Sequence, residues 1–311
     1  MNKKKVVTIG GGTGTFQLLK GLKNYNIDLT AVVNMADDGG SSGKLRDEMG
    51  VLPPGDIRRA LVALSDDAKM LRELFEYRFE NNNGDHSLGN LILAALEKIT
   101  GDHGKAIKQA SEILNLKGKV LPVTIQETNI FAELENGRVL QGQTEVSYSK
   151  TDAKIKRVFL DPLVNIYEET EKAILDADVI VICPGDLYGS LIPNLLVNGM
   201  KEAIQNSNAK IVYVCNIVGK NKTENFKASD FVREIERYLD KKIDSVVLNT
   251  KKPTEKLLND YRMENSSFVE ADLDDSYEIV KGEFSNEVWS EIKTILRHDS
   301  EEISRVLMGM I

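Results

Sequence analysis

A short apolar run, Lys5 to Ile9, breaks off into Gly10-Gly11-Gly12-Thr13-Gly14-Thr15. A helical stretch carrying Phe16, Leu18, Leu19 and Leu22 follows, and Leu29 to Val33 is a second apolar run. Few folds accept this order. Two neighbouring strands joined by a helix have to pair in parallel through a right-handed crossover. Glycines at the first turn let backbone N–H groups approach an anion, and the helix behind them adds its positive end.

The alternation continues. From Asp67 the spacing of Leu71, Leu74, Phe75 and Phe79 predicts an amphipathic helix. Leu88, Leu91, Ile92, Ala95, Leu96 and Ile99 predict another, stopped at Gly101, and a third covers about Ala106 to Leu114. Between Val120 and Leu160 the period changes to two. Ile130, Ala132 and Leu134 alternate, Asn136-Gly137 supplies a type I′ turn, and Val139 follows, which predicts a β-hairpin at an edge of the sheet. Strands are then expected at Asp178–Cys183, Lys210–Asn216 and Ser245–Asn249. Helices are expected near Asn198–Asn206, Ala228–Leu239 and Thr254–Arg262, and Asp299 stands three residues before Glu302 at a capping-box spacing. The expectation is an α/β chain: a three-layer Rossmann-like fold with a mostly parallel sheet, a hairpin insertion at about 120–160, and one domain over residues 1–311.

Composition narrows the function. With 40 Lys plus Arg against 48 Asp plus Glu, the net charge is −8, which argues against a broad nucleic-acid or anionic-membrane footprint. Val179 to Cys183 is the longest apolar run, about five residues against the roughly 20 a bilayer needs. The basic start Met1 to Lys5 is followed only by Val6 to Ile9 before Gly10, too short for a signal peptide. The two cysteines, Cys183 and Cys215, sit in strand-like runs and read as reduced core thiols of a cytoplasmic protein. No Cys/His cluster has zinc spacing, and no Ser, Cys or His constellation suggests a covalent nucleophile. No zinc, flavin or haem is expected. Monomer and homo-oligomer both stay open.

Ligands of an open parallel sheet sit beyond the carboxyl ends of its strands, so the loops there are the candidates. In the first, Gly10 and Gly12 match the dinucleotide fingerprint, whereas Thr15 stands in place of its third glycine. Gly11, Gly12, Thr13, Gly14 and Thr15 are the expected ligand contacts. The second loop is Asn34-Met35-Ala36-Asp37-Asp38-Gly39-Gly40-Ser41-Ser42. Its adjacent carboxylates, Asp37 and Asp38, can hold a divalent cation, Mg²⁺ by preference, or accept hydrogen bonds from a ribose. In the third, Pro53-Pro54-Gly55-Asp56-Ile57-Arg58-Arg59, Asp56 can cap a helix. Arg58 is expected to meet an anion, with Arg59 pointing about 100° away around the helix. The fourth is Pro184-Gly185-Asp186-Leu187-Tyr188-Gly189-Ser190, leading into Ile192-Pro193-Asn194. Here Tyr188 is expected to stack on a base or sugar. His86, ahead of Ser87-Leu88-Gly89-Asn90, reads as a surface or capping residue.

Taken together, GGGTGT, ADDGGSSGKLR, PPGDIRRALVAL, HSLGNLILAAL and CPGDLYGSLIPNLLVNGM, in this order, resemble the bacterial gluconeogenesis factor family. That family lies within the CofD-like group related to the phospholactate transferase of coenzyme F420 synthesis. The resemblance implies a Rossmann-like fold and a UDP-sugar or other nucleotide diphosphate ligand. It also implies a part in cell shape and wall growth on gluconeogenic carbon sources. Asp37, Asp38, Gly39, Gly40, Ser41, Ser42 and Gly185 are expected to line the crevice with the first loop, because all these loops follow strand ends of one parallel sheet. Asn34, Gly55, Asp56, Arg58, Asn90, Pro184 and Asn194 join the candidate contacts. The alternative is a Mg-dependent transferase acting on a nucleotide diphosphate donor. This chain departs from the transferase branch after Asp37-Asp38, where it has GGSSG and PPGD. NAD binding is a third, weaker fit, because Thr15 breaks the fingerprint and no hydride-transfer constellation is present.

Overall fold

The computed structural model describes residues 3–66, 69–79, 86–220, 222–290 and 292–311. The chain opens β1 (Lys4–Gly10), α1 (Gly12–Leu22), β2 (Ile27–Val33), α2 (Gly40–Met49), α3 (Gly55–Leu64) and α4 (Lys69–Glu76). It continues α5 (Leu88–Thr100), α6 (His103–Ile113), β3 (Lys119–Pro122), β4 (Asn129–Leu134), β5 (Val139–Gln141), α7 (Gln143–Tyr148) and β6 (Ile155–Asp161). Next come α8 (Glu168–Leu175), β7 (Val179–Ile182), a π-helical turn (Leu187–Leu191), α9 (Ile192–Leu195), α10 (Met200–Asn206) and β8 (Lys210–Val214). Then follow β9 (Val218–Gly219), α11 (Ala228–Leu239), β10 (Ser245–Asn249), α12 (Glu255–Met263) and β11 (Ser267–Phe268). Last are β12 (Glu278–Gly282), β13 (Ser285–Ser290), β14 (Lys293–His298) and α13 (Ser300–Gly309).

The central sheet has seven strands in the order β12-β10-β8-β7-β1-β2-β3, all parallel. This is the expected Rossmann-like arrangement. Its middle strands are buried on both faces: Val179, Ile180, Val181 and Ile182 in β7, and every residue from Val6 to Gly10 in β1. Such strands need unbroken apolar runs, which is why they were readable as blocks rather than alternations. Helices flank the sheet in groups, α1 against α3 and α13, and α10 against α8 and α11.

Strand order fixes the position of the site. From β1 the chain builds outward through β2 to β3, and from β7 it builds the other way through β8, β10 and β12. The direction therefore reverses between β1 and β7, and the loops leaving those two strands diverge around a crevice. The strand ends lie level there, since Gly10 pairs with Val33 and Ile9 with Ile182.

One expectation is corrected. The hairpin does not extend the main sheet. β4 pairs with β5 and β6 in a separate antiparallel sheet, through apolar Ile130, Ala132 and Leu134, all buried. A further antiparallel pair, β13–β14, is not among the expected strands, because polar residues outnumber apolar ones in it and leave no apolar run or clean alternation. The helix start expected at Asp67 lies outside the described residues, and the helix itself is seen over Lys69–Glu76. Cys183 and Cys215 are free and buried, with burial pushing each thiol up to about 12.

Candidate functional site

Gly12, at φ +71°, takes a left-handed backbone conformation that side-chain-bearing residues rarely adopt. That turn points its N–H at Asp56, whose Oδ1 accepts it at 2.9 Å. Asp56 lies so close to the loop that a Cβ on Gly11 would stand 2.2 Å from its Oδ2. On the other side the loop meets the fourth one: a Cβ on Gly14 would collide with the Pro184 carbonyl at 1.9 Å, and the Gly11 carbonyl lies 3.3 Å from a Cβ on Gly185. Asn194 ties the two loops from below, donating through Nδ2 to Ser190 O at 2.8 Å and Gly10 O at 3.5 Å. Thr15 donates to Gly11 O at 3.2 Å and closes the first turn of α1.

In the second loop Asn34 Oδ1 accepts from Ala36 N at 3.2 Å, and Asp37 Oδ1 accepts from Gly39 N at 2.9 Å. The other Asp37 oxygen lies against Gly55, 2.7 Å from where a Cβ would stand. The Asp37 and Asp56 carboxylates therefore converge. Burial first, and then the Asp37 charge, raise the Asp56 carboxyl from its ordinary 3.8 to about 6. Asp37 is raised as well, chiefly by burial, with the Gly39 and Ser42 hydrogen bonds and the Arg59 charge acting against it. Asp56 Oδ2 is buried with no hydrogen-bond partner among the described residues. Among the described residues the guanidinium facing the pair is that of Arg59, half-exposed, with Nη1 3.6 Å from Asp56 Oδ1 and 3.9 Å from a Cβ on Gly12.

Arg58 was expected in that place and is elsewhere. Its side chain is buried, donating from Nε to Asn90 Oδ1 at 3.1 Å and from Nη1 to Phe75 O at 3.4 Å. Burial, helped by the Arg59 and Arg78 charges, lowers it to about 10. The 100° between the two arginines was foreseen; which of them faces inward depends on how α3 packs. The pair spacing Asp56 to Arg59, one helical turn, was the available clue.

Asn90 and His86 belong to the network behind the crevice. Arg58 can only donate, so it holds the Asn90 amide with its oxygen inward and its nitrogen toward Ser41 Oγ, 2.9 Å away. Ser41 Oγ is also 2.9 Å from His86 Nδ1, and both side chains are buried. This network anchors the start of α2, where Gly40 turns at φ +46°.

Two more expectations change. Asp38 does not join Asp37 over the crevice: its Oδ1 accepts from Thr144 N at 2.8 Å and from Thr144 Oγ1 at 2.9 Å. Tyr188 is buried and its hydroxyl faces Glu234 of α11, burial first and that carboxylate next pushing its pKa well up, so its ring is not free to stack on a ligand at the glycine loop. It lines instead a neighbouring cleft of about 1510 Å³ with Ser147, Lys220 and Lys222. Asn216, at the carboxyl end of β8, was not foreseen; it donates to Gly185 O at 2.7 Å and accepts from Tyr213 Oη at 3.1 Å. Among the described residues no group of three or more His, Cys, Asp or Glu is arranged to hold a metal, and no helix is long and apolar enough to cross a membrane.

The chain is similar to known proteins over nearly its whole length. Residues 6–285 match the family described as 2-phospho-L-lactate transferase CofD. A putative gluconeogenesis factor of Thermotoga maritima is 45% identical over 97% of this chain and 98% of its own length. The gluconeogenesis factor of Bacillus subtilis is 38% identical over 99% and 98%. A crystal structure of a Bacillus halodurans protein superposes with a TM-score of 0.92 at 40% identity, covering 99% of this chain and all of that one. A fold, a sequence and a length held in common at this level leave one conclusion: the chain belongs to the CofD family, among its gluconeogenesis factors.

Proposed function

We propose that the crevice binds a nucleoside diphosphate sugar, a UDP-sugar first of all, and that the protein acts as a cytoplasmic sensor of that ligand in cell-shape and wall-growth control. One observation carries this reading. The first and fourth glycine-bearing loops meet at the switch point of the sheet, with Arg59 and the Asp37–Asp56 pair at their rim. Backbone N–H groups and a helix start suit the diphosphate, and the guanidinium suits its charge.

The carboxylates need an answer in the same reading. Close like charges cost about 4 kcal/mol per pair at 4 Å and an effective dielectric of ~20. A Mg²⁺ ion fits the donor set: Asp37 and Asp56 supply hard oxygens, and Asp56 Oδ2 is a buried acceptor with nothing to accept. When bound it would neutralise charge on the diphosphate. Two carboxylates plus substrate phosphate oxygens is the usual protein share of such a site. Asp38, with its carboxylate on Thr144, drops out of it.

Calorimetry with UDP-N-acetylglucosamine and Mg²⁺ tests the proposal. Binding near micromolar, about −8 kcal/mol, is expected. No heat with any UDP-sugar overturns it. The family match to a transferase supports a second reading, group transfer from a nucleotide diphosphate donor, in which Asp37 and Asp56 hold the cation and no protein nucleophile is needed. Slow Mg-dependent turnover abolished in Asp37→Asn would favour it over sensing alone.

A further inference from the structure

α7 is six residues long, Gln143–Tyr148, and an isolated helix below about 12 residues is marginal in water. Something outside it must hold it. At its start Gly142 offers no side-chain cap, and Asp38 takes that role from 106 residues away, accepting from Thr144 N and Oγ1. Gly142, at φ +85°, leaves the opening: a Cβ there would stand 1.9 Å from Asp38 Oδ2. Past its end Lys222 Nζ donates to Ser149 O at 2.5 Å and Thr151 O at 3.0 Å. A carboxylate at the amino end and an ammonium at the carboxyl end both match the helix dipole.

The same turn of helix reaches the fourth loop. Gln143 Nε2 donates to Ser190 Oγ at 3.1 Å, and Ser147 Oγ to Asp186 Oδ2 at 2.5 Å. Asp186 in turn accepts from Gly189 N at 3.1 Å and so shapes the π-helical turn. One short helix thus holds the residue after Asp37 and the residue after Gly185 in a single frame. Its anchor in the insertion sheet is Gly142 N to Ile130 O, 2.7 Å.

We propose that α7 is a latch that sets the second and fourth loops relative to each other, with Thr144 and Ser147 as positioning residues for a diphosphate bound in the crevice those loops border. The latch rests on the diphosphate reading above, so the test separates the two. Hydrogen exchange and calorimetry with UDP-N-acetylglucosamine are run on wild type, on a Thr144→Val/Ser147→Ala double variant, on Thr144→Ser, and on Asp38→Asn, which weakens the cap from outside α7 should the double variant fail to fold. The double variant is expected to speed amide exchange several-fold over residues 39–43 and 185–191 without ligand, to weaken binding about tenfold, and to leave the melting temperature within a few degrees. Thr144→Ser should restore the exchange at the second loop, and Asp38→Asn should speed it. Unchanged exchange in both loops, or faster exchange with affinity intact, overturns the latch. A wild type that binds no UDP-sugar while the exchange pattern follows the variants retains the latch and removes the UDP-sugar reading.

Discussion

Two polar clusters meet one turn of α3, through Arg58 in one and through Asp56 and Arg59 in the other, and they are finished differently. Arg58, Asn90, Ser41 and His86 form a buried chain in which each member has a hydrogen-bond partner. Asp37, Asp56 and Arg59, beside it, hold two converging carboxylates, one buried oxygen without a partner, and a guanidinium left half in solvent. A satisfied network specifies a shape. An unsatisfied one spends stability on a place where something else can bind. The contrast assigns the first cluster to architecture and the second to the ligand.

The strongest way to break the comparison is Arg58→Met. It strands Asn90 Oδ1 and Phe75 O inside the protein, and a loss of about 3–5 kcal/mol in urea unfolding is expected, as for removal of one partner from a buried charged set. A loss below about 1 kcal/mol would dissolve the distinction. Asp56→Asn should do the reverse. The Asp56 carboxyl is raised to about 6, so the native state holds its proton more tightly than the unfolded chain, and stability is lost as pH rises through about 4 to 6. Removing the charge is therefore expected to stabilise the ligand-free protein at pH 7–8 by on the order of 2–3 kcal/mol, the gain fading below about pH 4. Thermal melts across that range decide it, and equal melting curves at pH 8 would contradict the raised value.

Arg59→Ala sharpens the contrast within one pair of neighbours. It should weaken nucleotide diphosphate binding by about 1.5–3 kcal/mol, the range for a charge-assisted hydrogen bond, and shift unfolding by less than about 0.5 kcal/mol. If affinity stays and stability falls, the roles of Arg58 and Arg59 are exchanged. The smallest effect belongs to Ser41→Ala, about 1–2 kcal/mol of stability, with the resonances of the His86 ring displaced because Nδ1 has lost its partner.

How much of this was legible follows the range of the interactions. β1, β2, β7 and the first loop could be placed from local runs of Val, Ile and Gly, because burial on both faces writes itself into consecutive residues. The meeting of the first, second and third loops was likewise foreseeable, since each follows a strand end or opens a helix. What failed was direction at long range. Arg58 and Arg59 have the same neighbours in sequence, and only the packing of α3 against α1 decides which one turns inward. Asp38 looked like a partner for Asp37 because they adjoin; its actual partner is 106 residues on. The hairpin gave away its strands, but not its turn type, since a type I′ turn needs positive φ at both Asn136 and Gly137 and only Gly137 has it, nor that β6 would pair with it in a sheet of their own.

α1, which supplies the glycine loop, has little room on its far side. A Cβ on Gly21 would stand 2.1 Å from the carbonyl oxygen of Ser300, and Ser300 Oγ donates to Gln17 Oε1 at 2.7 Å. The helix that opens the fold thus leans on α13, some 280 residues later. A ribosome adding roughly 5–20 residues per second takes at least about 15 seconds to span that gap. Throughout that interval the first helix waits without its counterpart, so α1 can complete its packing only after nearly the whole chain has been translated.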